Sequence, residues 1–239
     1  MGNELACVQQ MQYPGRVVIL GSSPSGSTVV MYAITGRSPS SQARRLEVDT
    51  TGKNISVQPT DEEVLRTGNP DLLVYPAILW GRGIAVSNGK QTEDVFGKLS
   101  ENADPLEALV QGLAPWQYEP DEPNYTPRIT GCVGKAAALS ILKRASDGSV
   151  IRHFFSIPRI AGTGKMIATY TGCNENPLPS FCGEPCDLGV VWQDAQSAAE
   201  ALYEALGPEG GAPDFRVAAA ALYASADETI TVYVKNRHN

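Results

Sequence analysis

Histidine is nearly missing from this chain, and its scarcity removes one family of chemistry at the outset. Two histidines, His153 and His238, occur in 239 residues. Neither has a partner at ligand spacing, so a histidine-built zinc site has no basis. The five cysteines, at positions 7, 132, 173, 182 and 186, are odd in number and irregularly spaced. That argues against a disulfide framework, and free thiols are the expectation. Cys182 and Cys186 lie close together with Cys173 nearby, but four ligands at zinc spacing are not available, so no metal is expected. No stretch approaches the roughly 20 apolar residues that a membrane-crossing helix needs. No Lys/Arg tract offsets the formal charge of −7, which argues against a nucleic-acid partner.

The opening segment "MGNELACVQQMQYPGR" has no basic region followed by an apolar core, so it does not read as a secretory signal. Ala6 stands where a myristoylation pattern wants Ser or Thr. A cytoplasmic location is the expectation. There is no Walker A motif and no dinucleotide glycine fingerprint. "GTGK" at 162–165 has the wrong spacing for a phosphate loop and reads as a turn.

What is present is an ordinary globular composition, 42% hydrophobic and 19% charged, in a length ample for a buried core. "GRVVILG" and "STVVMYAITG" are β-branched runs joined by "SSPSG" and predict a hairpin. "RRLEVDTTG" with "NISVQP", and "DLLVYPAILWG" with "GIAVSNG", predict two more. "TEDVFGKLSENADPLEALVQGL" is helical, with Asp104 as N-cap and Pro105 at the first position of a turn. "RITGCVG", "KAAALSILKRA", "SVIRHFFSIP" and "GKMIATYTG" follow as strands. "DAQSAAEALYEAL" repeats apolar residues at helical spacing, and "FRVAAAALYAS" and "ETITVYVKN" close the chain as a hairpin. Strands, helices, strands, helix, strands give an α+β protein with antiparallel sheets rather than alternating βαβ units.

The stretch "EPDEPNYTPRITG" (119–131) carries three acidic residues and three prolines at the entrance to a strand. Proline biases the residue before it towards extended geometry, here Glu119, Glu122 and Thr126. The segment reads either as a rigid acidic connector or as a site wall placing Glu119, Tyr125 and Arg128. "TGRSPSSQARR" (35–45) holds three arginines and four hydroxyls in eleven residues, which suits a phosphate or a carboxamide oxygen, or else a solvated basic loop.

Several of these pieces point the same way: "YPGRVVILG" (13–21), "YAITGRSPSSQARR" (32–45), "SNGKQTEDV" (87–95), "YEPDEPNYTPRI" (118–129) and "ATYTGC" (168–173). Together they resemble the archaeal-type IMP cyclohydrolase family. The first twelve residues and "NENPLPSFCGEPCDLG" fall outside the resemblance, so residues 1–12 are expected to form an N-terminal extension and 13–239 a single domain. The resemblance implies an Ntn-hydrolase-like fold, four layers αββα with two antiparallel sheets between helices. It implies ring closure of 5-formamidoimidazole-4-carboxamide ribonucleotide to IMP with loss of water, without metal or organic cofactor. The implied partner is a purine ribonucleotide, and homo-oligomerisation is left open. Cys7 lies upstream of the first strand with no mark of cleavage, so autoprocessing is not expected.

Carried over residue by residue, the resemblance puts Glu119 where it orients the carboxamide or accepts its proton. Tyr75 becomes an acid or oxyanion donor and Asn88 a donor to the formyl oxygen. Arg37 meets the phosphate or the carboxamide. Arg128, Tyr125, Ser38 and Thr92 are the implied substrate-binding residues. Arg128 could instead pair with Asp121, and Cys173, which matches a cysteine in some relatives, is expected to be a buried inert thiol. Two other functions compete: a cysteine-dependent amidohydrolase relying on Cys173 or Cys7, and a non-catalytic purine-nucleotide-binding protein.

Overall fold

The computed structural model describes residues 4–101, 103–227 and 229–238. In chain order the elements are α1 (Ala6–Gln9), β1 (Arg16–Ser22), β2 (Thr28–Thr35), α2 (Pro39–Gln42), β3 (Arg44–Val48), β4 (Asn54–Pro59), α3 (Glu62–Leu65), α4 (Pro70–Leu73), β5 (Tyr75–Trp80) and β6 (Ile84–Ser87). They continue with α5 (Gln91–Ser100), α6 (Pro105–Gly112), β7 (Arg128–Val133), β8 (Ala137–Arg144), β9 (Val150–Ile157), β10 (Thr163–Ala168), β11 (Cys186–Gly189), α7 (Ala195–Ala205), β12 (Arg216–Ala224) and β13 (Ile230–Asn236).

The strands form two sheets, ordered β11-β10-β1-β2-β12-β13 and β3-β4-β5-β6-β7-β8-β9, and every pairing is antiparallel. The four hairpins expected from the sequence are present, β1–β2, β3–β4, β5–β6 and β12–β13, and β8 and β9 form a further one around Asp147-Gly148. The α+β class with two antiparallel sheets follows directly. α1 to α4 and β11 are additions to the expected elements. Each is four residues long, too short to show a period.

The two sheets face each other across one core, which joins Val18, Leu20 and Tyr32 of the first to Ile78, Ile129 and Leu139 of the second. β2 is buried at every position because both of its faces are covered. α7 packs against β12, β13 and β2, and the alanines Ala218–Ala221 meet Ala198 and Ala199 in the same cluster. Small side chains on both partners let helix and sheet approach closely. α5 and α6 cover the outer face of the other sheet, where Val95, Leu99, Ala108 and Leu109 pack on Ala85, Cys132, Ala138 and Leu142. Asn236 of β13 locks the open edge of the second sheet, donating to Leu46 O at 3.0 Å and accepting from Leu46 N at 2.9 Å. In the segment expected as an extension, Leu5 and Val8 are buried in the main core.

Gly131 of β7 faces Leu20 of the other sheet with no room to spare. A Cβ there would meet Leu139 Cδ2 at 3.0 Å, and Leu20 Cδ1 and Val86 Cγ1 at 3.1 Å. Gly131→Ala should therefore destabilise by about 1–3 kcal/mol through overpacking. Thermal unfolding checks this; an unchanged melting temperature would mean the sheets can separate at that point without cost.

Candidate functional site

The site lies at the end of the sandwich where β1 and β7 begin and β2, β6 and β10 end. A cleft of about 240 Å³ opens there, lined by Tyr13, Arg16, Arg37, Ser38, Ser40, Ser41, Asn69, Glu119, Asp121, Asn124, Thr126, Tyr170 and apolar neighbours including Leu72 and Leu178. Gly15 brings the chain into it. Its φ is +76°, and a Cβ there would strike Thr169 Oγ1 at 2.1 Å. Only glycine combines that left-handed backbone with so close an approach, and the next residue is Arg16.

Glu119 is 2% exposed. Its backbone N–H donates to Thr126 O at 2.9 Å, closing a loop whose interior is organised by Asp121. The Asp121 carboxylate accepts from Thr126 N at 2.6 Å and from the Thr126 hydroxyl, and Asp121 O accepts from Asn124 N and Tyr125 N. Residues 120–125 are thus a tight turn rather than the extended path that proline bias suggested. The reason is local: a carboxylate two residues after Glu119 captures the backbone and hydroxyl of Thr126, and the turn places Tyr125 at φ 45°.

Behind Glu119 stands Asn88, fully buried at the end of β6. Its Nδ2 donates to Pro127 O at 2.9 Å and, more weakly, to Glu119 Oε1 at 3.4 Å. Its Oδ1 accepts from Ile129 N at 2.8 Å and Gln91 Nε2 at 3.1 Å. Both amide hydrogens and the amide oxygen are therefore engaged within the protein. Arg128 lies 3.7 Å from Glu119 Oε1, donates to Gln91 Oε1 at 2.9 Å and to Gln117 O at 2.9 Å, and stacks over Trp116. It contacts Glu119 rather than Asp121, whose carboxylate is turned inward on Thr126.

The electrostatics are unusual. Arg16 and Arg44 are buried, and Arg16 Nε and Arg44 Nη1 have no hydrogen-bond partner within the described residues. Arginine stays protonated, so two buried charges lie beside the cleft without a bonded carboxylate. Burial pushes the Glu119 carboxyl up from its ordinary 4.5 to about 7, and Arg16, Arg128 and Arg44 only partly offset this while Asp121 adds to it. The Tyr32 and Tyr75 hydroxyls share a hydrogen bond of 2.7 Å, and burial together with Tyr75 pushes the Tyr32 phenol well up.

The sequence-derived residues separate into two groups. Glu119, Arg37 and Ser38 line the cleft. Arg37 is anchored by Asn174 Oδ1 at 3.0 Å and Glu175 O at 2.8 Å, and lies over Tyr13. Asn88, Arg128 and Tyr75 stand behind the wall. Thr92 and Tyr125 lie outside it: Thr92 is bonded to Ser87 Oγ and Gly89 O, and Tyr125 packs on Tyr118 under Arg144. No cysteine lines the cleft, and Cys173 is exposed where a buried thiol was expected, because its chain runs over the surface beside Asn174. Arg16, Tyr13 and Tyr170 were not anticipated, and Asp121 was named only as a possible partner of Arg128. Their only signal was polar or aromatic identity at the ends of apolar strands.

A sandwich of two antiparallel sheets with a cleft at its strand ends lined by Arg16, Arg37, Glu119 and Asp121 defines a small-molecule site built on an α+β domain. The chain belongs to the family of IMP cyclohydrolase-like proteins, whose pattern matches residues 13–228. It is 34% identical over 171 residues to an IMP cyclohydrolase of Methanothrix thermoacetophila, covering 70% of this chain and 78% of the relative. It is 34% identical over 118 residues to that of Methanopyrus kandleri, covering 49% and 57%. To one of Methanococcus maripaludis it is 27% identical over 163 residues, covering 68% and 76%.

The raised Glu119 carboxyl has a consequence for stability. Its folded pKa of about 7 lies above its ordinary 4.5, so the folded state holds the proton more tightly than the unfolded chain. Stability from this group is present below about pH 4.5 and is lost as pH rises to about 7, by roughly 3 kcal/mol. Glu119→Gln cannot ionise and should gain on the wild type by that order between about pH 5 and pH 8. Denaturant unfolding of both proteins across that range checks it, and parallel curves would refute the shift.

Proposed function

We propose that this chain is an IMP cyclohydrolase, converting 5-formamidoimidazole-4-carboxamide ribonucleotide to IMP and water as the last step of purine synthesis. The observation that carries the reading is the buried Glu119 carboxyl, titrating near neutrality, on the wall of a cleft lined by Arg16 and Arg37. Family membership and the names of the relatives support it. On this reading the fold is Ntn-hydrolase-like, with α7 on one outer face and α5 and α6 on the other. Residues 13–239 act as one domain, with residues 1–12 as an N-terminal extension whose Leu5 and Val8 join its core, and the enzyme works in the cytoplasm.

The carboxamide nitrogen attacks the formyl carbon of the same molecule. Both partners are already joined, so the protein gains most by holding the reactive rotamer. The carboxamide nitrogen gives up one proton and the formamide nitrogen another, and both leave with the formyl oxygen as water. Glu119 takes the first proton, which an ionised carboxylate of pKa about 7 does well at neutral pH. Asn88, with its amide engaged by Pro127, Ile129, Gln91 and Glu119, acts as a positioning residue. Arg128 supports Glu119 from behind. Arg16, whose Nε is unpartnered, faces the oxyanion that develops on the formyl oxygen. Arg37 with Ser38, Ser40 and Ser41 takes the 5′-phosphate. Tyr75, paired with Tyr32, relays hydrogen bonding behind these groups.

An amidohydrolase mechanism is less favoured, because it needs a thiolate at the cleft. No cysteine lines it, and burial pushes the Cys7 thiol up rather than down.

The direct test follows IMP formation by absorbance with the formylated ribonucleotide. Wild-type kcat/KM should rise with pH through about 7 as Glu119 ionises. Glu119→Gln should lower kcat about 10²–10⁴-fold with little change in KM, and should lose that pH limb. Arg37→Ala should act mainly on KM and on IMP affinity. Near-normal kinetics in a folded Glu119→Gln protein would remove Glu119 from the chemistry. Tight IMP binding with no turnover would favour the non-catalytic reading.

A further inference from the structure

A second cleft, of about 500 Å³, lies at the opposite end of the sandwich from the first, where the hairpin turns converge. It is formed by the β1–β2 turn at Gly26 and Thr28, the β5–β6 turn at 81–83, the β7–β8 turn at Gly134 and Lys135, Arg159 between β9 and β10, and the β12–β13 turn at Ser225. Its charge is one-sided. The titratable side chains lining it are Arg82, Lys135 and Arg159, in a chain with 26 acidic and 19 basic residues. None of the three forms an ion pair among the described residues. The nearby acid Asp227 is turned into its own turn, accepting from Ser225 Oγ and Thr229 N; Glu228 lies outside the described residues.

Arg159 is held in place rather than loose in solvent. It donates to Thr28 Oγ1 at 2.5 Å and to Gly134 O at 3.3 Å, which ties a turn of one sheet to a turn of the other. Two of its five N–H donors are used, leaving the remainder for a ligand. Lys135 makes no side-chain hydrogen bond within the described residues, and Arg82 makes one long contact, to Ser100 O at 3.5 Å. Glycines at 26, 81, 83 and 134 keep side chains out of the rim, while the amides of Gly26, Gly81 and Gly134 donate within their own turns to Ser23 O, Gly83 O and Ala136 O, so the cations carry the recognition.

We propose that this cleft binds a diphosphate group, free or esterified, at a site separate from the one that holds Glu119. A single phosphate carries about −1.5 to −2 at pH 7, so three cations match two phosphoryl groups better than one. The volume falls within the range of small-molecule sites and exceeds what a phosphate alone would fill.

The test uses the full chain with inorganic pyrophosphate and with ADP as probes, by calorimetry and by amide NMR, in the presence of saturating IMP to fill the first cleft. The expected result is saturable binding of at least one probe, weakening as salt is raised, with shifts at the Gly26, Gly83 and Gly134 amides. Tighter binding of ADP assigns the ester, and tighter binding of pyrophosphate the free anion. Lys135→Gln removes no internal hydrogen bond and so should fold normally; it should weaken binding about threefold to tenfold, and Arg159→Gln at least as much. The proposal is overturned if neither probe binds, if IMP abolishes binding, or if Arg37→Ala abolishes it while Lys135→Gln and Arg159→Gln bind as wild type.

Discussion

The side chain of Asn88 is the brace on which the site depends. Four groups converge on one amide: Ile129 N at the head of β7, Pro127 O just before it, Gln91 at the start of α5, and Glu119. Because an amide presents two donors and an acceptor in one plane, it fixes these groups in angle as well as distance. The end of β6, the first turn of α5 and the strand that carries Arg128 are therefore set relative to the carboxyl by a single fully buried residue. Loss of that amide would leave buried backbone groups unpaired, each costing about 1–3 kcal/mol.

Around this brace the protein has assembled groups that disfavour one another. A carboxyl that is 2% exposed resists ionisation, and buried Arg16 and Arg44 carry charge with donor atoms unmet. A fold selected for stability alone would not place two unpaired guanidinium groups beside a cleft. The arrangement becomes favourable when an anionic ligand with carbonyl acceptors fills the cleft, so the site is pre-organised for a charge that arrives with its substrate. Burial is what sets Glu119 near neutrality; the arginines moderate the effect without cancelling it.

Much of the scaffold was legible because both sheets obey local rules. β-branched runs broken by Ser/Gly/Pro turns gave the hairpins, and the alanine–leucine spacing of 195–205 gave α7. Four-residue elements such as α2 and β11 carry too few residues for a period, so they escaped. In the site, the proline-rich stretch left Glu119 on either a connector or a site wall and the family resemblance chose the wall, but the extended geometry inferred there was wrong, since the Asp121 side chain folds 120–125 into a turn. The burial of Arg16 and Arg44 was hidden, because an arginine at a strand end normally points to water and it is strands distant in sequence that cover them. Tyr125 was drawn into the predicted site by proximity to Glu119; the turn sends it the other way, onto Tyr118 and Arg144.

Glu119 titrates near neutrality because the fold buries its carboxyl against the Asn88 brace. Carbon-13 NMR of the glutamate-labelled protein, followed across pH, tests it most directly. One side-chain carboxyl resonance should titrate with an apparent pKa of about 7 and be absent from Glu119→Gln. If every glutamate carboxyl titrated within about a unit of the ordinary 4.5, burial would not be what controls Glu119.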